Sequence, residues 1–175
     1  LYAYKSLNQA TARLGMKIGI SRVVETFERL GVDKSIPPYP SILLGSVSLS
    51  PFDVTQMFQT FASGGFAMKP RAIQALTTTD NQVLTSYALQ GKQVYSPELI
   101  ENLRYGLQQV VVQGTGKRLA RTFATTKIAA KTGTSDDQRD AWFAGFDDRH
   151  LAVVWLGRDD NKSMAFTGAS GALPI

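Results

Sequence analysis

The sequence predicts an α+β domain with its helices first and an antiparallel sheet last. Apolar residues recur at helical spacing through most of the first two thirds. The last third changes character, with Lys127 to Thr132, Ala141 to Phe146 and Leu151 to Leu156 reading as three strands. The polar turns between them, 135–140 and 147–150, are short enough for a meander, so the helices pack on an antiparallel sheet.

The first helical pattern follows Asn8 and runs to about Lys17, and Val23, Val24, Phe27 and Leu30 mark a second between Ser21 and Gly31. Three prolines in SIPPYPSILL, residues 35–44, predict an irregular crossing loop whose apolar end is buried. A third helix has the clearest start: Ser50 caps, Pro51 takes the first position, and Asp53 completes a capping box before Val54, Met57, Phe58 and Phe61. Gly64 and Gly65 stop it. Phe66 to Leu84, with its Asp80-Asn81 turn, predicts a surface hairpin. Ser96 and Pro97 then open a helix striped by Leu99, Leu103, Leu107 and Val110, which ends by Gly114.

Composition narrows the functions. The 175 residues, 43% hydrophobic and 19% charged, suffice for one core, and no run of eighteen apolar residues could cross a bilayer. A charge of +5, spread along the chain, marks no nucleic-acid arm. With no cysteine and one histidine, the chain cannot build a thiolate or His-rich metal site, and no cofactor is expected. The absence of an initiating Met and of a leader, together with glycines and a proline in the closing TGASGALPI, leads us to expect a chain incomplete at both ends.

Several chemical readings fail on spacing. Gly114-Thr115-Gly116-Lys117 resembles the end of a phosphate loop, but Val111 stands where the first glycine belongs and Arg118 where the hydroxyl belongs, leaving a helix stop. Asp136, Asp137 and Asp140 lack the alternation of a calcium loop. His150 reads as a turn residue beside Asp147 and Asp148, and Trp142 and Trp155 read as packing.

Lys131-Thr132-Gly133-Thr134, at a strand end, is chemically coherent. An ammonium with two hydroxyls at alternate strand positions suits a substrate carboxylate, Gly133 clears space for a ligand lying along the strand, and the Thr134 amide can donate to an oxyanion. A plain strand-end charge is the other reading of Lys131. Ser6-Leu7-Asn8 precedes the first helix, where helix capping by Ser6 or Asn8 is the simpler reading. Together, an upstream Ser-x-Asn and a downstream Lys-Thr-Gly form the ordered set found in penicillin-binding proteins and serine β-lactamases.

Nearly the whole chain carries the resemblance: Gly114-Thr115-Gly116, Ala129-Ala130, Ala141 to Gly145, Gly157-Arg158-Asp159 and Gly168 to Gly171 all match. It resembles the later part of the transpeptidase domain of class A bifunctional penicillin-binding proteins, and its tail resembles the 1B type of Gram-negative bacteria. The resemblance implies a penicillin-binding transpeptidase or serine β-lactamase-like fold, with residues 1–126 mainly helical plus a hairpin, strands over 127–158, and 159–175 leading into a further helix. It implies a D,D-transpeptidase that acts on the D-Ala-D-Ala end of a peptidoglycan stem peptide and is acylated by β-lactams. Ser6 would relay a proton to the leaving amine, Asn8 would bind the peptide backbone, Lys131 would polarise Ser6 and the carboxylate, and Thr132, Gly133 and Thr134 would cradle that carboxylate.

The family's Ser-x-x-Lys, carrying the acylated serine, occurs nowhere in the sequence, so the nucleophile is expected from a preceding segment. The resemblance also implies a site at the periplasmic face of the inner membrane, and an outer-membrane lipoprotein activator and cell-division proteins as partners. A D,D-carboxypeptidase or β-lactamase of the same fold, or a non-catalytic peptide-binding domain, are the alternatives.

Overall fold

A computed structural model describes residues 5–175. Helices α1 (Asn8–Ile18) and α2 (Ile20–Arg29) break at Gly19, whose φ of 101° suits a residue without a side chain. A Cβ on Gly15 would run into Leu43, so α1 lies directly on the short 3-10 turn Pro40–Leu44. The proline-rich crossing loop is buried at its apolar positions: Ile36 and Ile42 join Val32 in a core with Val23, Val24, Phe27 and Met57.

Helix α3 (Pro51–Ala62) starts as its sequence dictates. The Ser50 hydroxyl accepts from the Asp53 amide at 3.2 Å, and the Asp53 carboxylate accepts from the Ser50 amide at 2.7 Å and from Lys34 at 2.6 Å. The segment after it differs from the single hairpin expected. Strand β2 (Ala75–Thr77) pairs with β3 (Val83–Ser86), while β1 (Phe66–Met68) pairs with β4 (Gly91–Gln93), nesting one hairpin inside another. Gly91-Lys92-Gln93 carries no β-branched or aromatic residue, so its pairing had no local signal.

Helix α4 (Pro97–Gln113) is capped by the Ser96 hydroxyl, and a short α5 (Lys117–Thr122) follows. At six residues, α5 is too brief to display a helical period in sequence. The three final strands, β5 (Ala129–Thr134), β6 (Asp140–Phe146) and β7 (Leu151–Gly157), form an antiparallel meander with Lys131 opposite Ala144 and Gly133 opposite Trp142. Ala130, Ala141 and Phe143 share one face and pack with Val111, Ala172 and Leu173 in a second core. The last element, a π-helical turn at Gly168–Ala172, carries its own capping box between Thr167 and Ser170.

Candidate active site

Strand β5 is the outer strand of the meander, so one of its edges is unpaired among the described residues. In an antiparallel ladder the main-chain groups alternate between partner and open edge. The Ser135 amide is spent inward on the Asp140 carbonyl at 3.1 Å, so the groups of Thr132 and Thr134 point outward. Thr132 confirms the parity, since its carbonyl accepts from the Lys131 ammonium at 2.6 Å.

The same ammonium donates to the Ser6 hydroxyl at 2.8 Å, across 125 positions of sequence. Ser6 and Asn8 therefore do not cap α1. Leu7 occupies the cap position, without a side-chain hydrogen bond to the helix amides. Ser6 holds φ 53°, left-handed backbone that is uncommon for a residue with a side chain. With its oxygen accepting from Lys131, the Ser6 hydroxyl proton is available to the cleft. Asn8 and Thr11 of α1 line the same cleft of about 530 Å³, together with Lys131, Thr132, Gly133 and Thr134.

Each threonine of the strand has a partner. The Thr134 hydroxyl accepts from the Gly168 amide at 3.0 Å, and the hydroxyl of Thr132, a residue 8% exposed, lies 2.6 Å from that of Thr115. Gly133 faces Trp142, where an added Cβ would come within 3.2 Å of the Trp142 Cβ. Beyond Gly133 a larger hollow of about 740 Å³ runs past Trp142 and Trp155 toward Ser46 and Ser50. Trp155 donates its indole N–H to Asp140 at 3.0 Å, fixing one wall of that hollow.

Burial lowers the pKa of Lys131 below the ordinary lysine value, because a partly desolvated ammonium loses the hydration that favours its charged form. Among the described residues, the cation's hydrogen bonds go to hydroxyl and carbonyl oxygens. Such a group attracts an anion that enters the cleft and can lend its charge to a proton moving through Ser6.

Thr115 belongs to this constellation, although its segment reads in sequence as a helix stop. The only local hint is a hydroxyl residue held between two glycines. His150 stays apart from the cleft, in the turn after β6, where the Asp147 carboxylate accepts from the Arg149 and His150 amides at 2.7 Å each.

This architecture is the fold of penicillin-binding transpeptidase domains. Penicillin-Binding Protein 1A from Haemophilus influenzae superposes with TM-score 0.92 at 22% identity, over 99% of this chain and 32% of that one. Penicillin-binding protein A from M. tuberculosis, solved as an imipenem acyl-enzyme complex, gives 0.76 at 20% identity, over 98% and 44%.

The profile of the penicillin binding protein transpeptidase domain matches residues 4–172, and the chain belongs to that family. It is similar to Penicillin-binding protein 1B of Vibrio cholerae at 41% identity over 98% of the chain, and to those of Haemophilus influenzae and Escherichia coli at 39% and 38%, each over 98%. It spans 22%, 22% and 20% of those three proteins, about a fifth of their length.

Proposed function

We propose that this chain supplies the proton-relay loop and the carboxylate-binding strand of a periplasmic D,D-transpeptidase that cross-links peptidoglycan. The contact between Lys131 and Ser6 carries the reading, because it joins the two sequence motifs at one point of the cleft. The terminal carboxylate of a D-Ala-D-Ala stem peptide would pair with Lys131 and accept from the Thr132 and Thr134 hydroxyls. Asn8 would hold the peptide backbone.

The nucleophile is a serine of a Ser-x-x-Lys segment outside these 175 residues, which contain no such motif. That serine attacks the penultimate D-Ala carbonyl while its own lysine takes the proton, and the Thr134 amide donates to the oxyanion. Collapse breaks the peptide bond. Ser6 gives its proton to the leaving D-Ala nitrogen and is reprotonated from the lysine side. An amine of a neighbouring stem then attacks the acyl carbonyl and gives up a proton to the Ser6 side of the relay, which returns a proton to the departing serine oxygen as the ester bond breaks and the cross-link forms. A β-lactam mimics the donor and remains as the acyl group. A membrane anchor, a glycosyltransferase domain and an activating lipoprotein belong to the same reading and rest on the family resemblance.

The test uses the intact protein containing these residues and its Ser-x-x-Lys segment. With a D-Ala-D-Ala stem peptide and an amine acceptor, D-Ala should be released in step with a peptide–amine product. Release without transfer would mark a carboxypeptidase, turnover of a penicillin without D-Ala release a β-lactamase, and reversible binding without release a peptide-binding module.

A further inference from the structure

We infer that Thr115 is a positioning residue for carboxylate recognition, acting through Thr132. The inference rests on the carboxylate site proposed above, and it starts from what a hydroxyl must do to bind an anion. A threonine hydroxyl has one proton and two lone pairs, so it serves a carboxylate only when that proton points at the ligand. A neighbour that donates to the hydroxyl oxygen leaves the proton free; a neighbour that accepts from it takes the proton away.

At Thr134 the first arrangement is fixed by chemistry, because the Gly168 amide can only donate. At Thr132 the neighbour is the Thr115 hydroxyl at 2.6 Å, which is able to play either part. A carboxylate held by Lys131 settles the direction, since it draws the Thr132 proton and leaves the Thr132 oxygen to accept from Thr115. Thr115 donates to Thr132, Thr132 donates to the carboxylate, and each bond polarises the next.

Thr115 is held where this relay needs it. The Gly114 and Gly116 amides both donate to the Val110 carbonyl at 3.0 Å, folding the loop tightly onto the end of α4. Val110 is fully buried, and Gly116 lies so close that a Cβ would come within 3.2 Å of the Val110 carbonyl and the Val111 Cα. The loop therefore rises from a fixed, core-packed helix end. Thr115 stands on it facing the cleft. Two glycines flanking one hydroxyl thus serve the geometry of the cleft.

The experiment measures second-order acylation by a penicillin in the intact protein, for Thr115→Val, Thr115→Ser, Thr132→Val and the double Thr115→Val/Thr132→Val. Losing one orienting hydroxyl should slow Thr115→Val about tenfold with the melting temperature unchanged, and Thr115→Ser should recover most of the rate. Because Thr115 acts through Thr132, the double variant should be no slower than Thr132→Val alone. Additive losses, or no rescue by serine, would overturn the proposal. A slowed Thr132→Val beside a normal Thr115→Val would overturn it while leaving the carboxylate site standing. A normal Thr132→Val would remove that site and the proposal together.

Discussion

At the scale of single residues, the site depends on a cation in an unfavourable place. Lys131 is partly desolvated and pairs with no carboxylate among the described residues, so its pKa in the folded chain is lowered from the ordinary value. Between the folded and unfolded pKa values the unfolded chain binds more protons, so stability rises with pH across that window. Below the folded pKa the penalty is fully present. Lys131→Met removes both that penalty and two hydrogen bonds, and we expect the melting temperature to stay within about 4 °C of wild type. Acylation by penicillin in the intact protein should fall by roughly 100-fold or more, since a charge aimed at the reacting groups is lost. Thermal melts and labelling rates measured on the same preparation check both halves, and parallel loss of stability and rate would favour a purely structural lysine. Ser6 shows where sequence reading stops. Its pairing with Lys131 is expected from the order of two short motifs, whereas its left-handed backbone, uncommon for a residue with a side chain, has no sequence signal.

At the scale of elements, legibility followed the strength of local signals. Helix α3 was readable because Ser50, Pro51 and Asp53 act within one turn, and all three interactions are present. The meander was readable because β-branched and aromatic runs alternate with polar turns. The outer β1–β4 ladder was not, because β4 owes its conformation to its partner. The Gly168 turn acts on the site through the backbone. A Cβ on Gly168 would collide with the Gly133 and Trp142 carbonyl oxygens, which cannot swing aside as a side chain could. Gly168→Ala should therefore push the turn off β5, weaken the amide bond to Thr134 and lower the melting temperature by roughly 4–10 °C, with slower penicillin acylation. Unchanged melting and acylation would mean that the turn does not brace the strand.

At the scale of the molecule, the cleft lies between two apolar cores. One gathers α2 and the crossing loop around Ile36 and Ile42; the other gathers the end of α4 and one sheet face around Phe143. Ser6 precedes α1 and Asn8 opens it, and the helix rests on the first core through Gly15 and Leu43, while Lys131 and Thr132 ride on the second. Composition predicted that a core would form, but not that its apolar residues would divide in two with the polar cleft between them, because long-range packing leaves no periodic trace. The reading of the site in turn makes a claim about the whole protein: residues 1–175 orient the donor and move protons, and the acylated serine lies elsewhere. The direct measurement is to react the intact protein with penicillin, digest it, and locate the adduct by mass spectrometry. The account predicts one penicilloyl group on the serine of a Ser-x-x-Lys peptide outside these residues, with none on any peptide from 1–175. A stable adduct on a serine within this chain, Ser6 first among them, would contradict it.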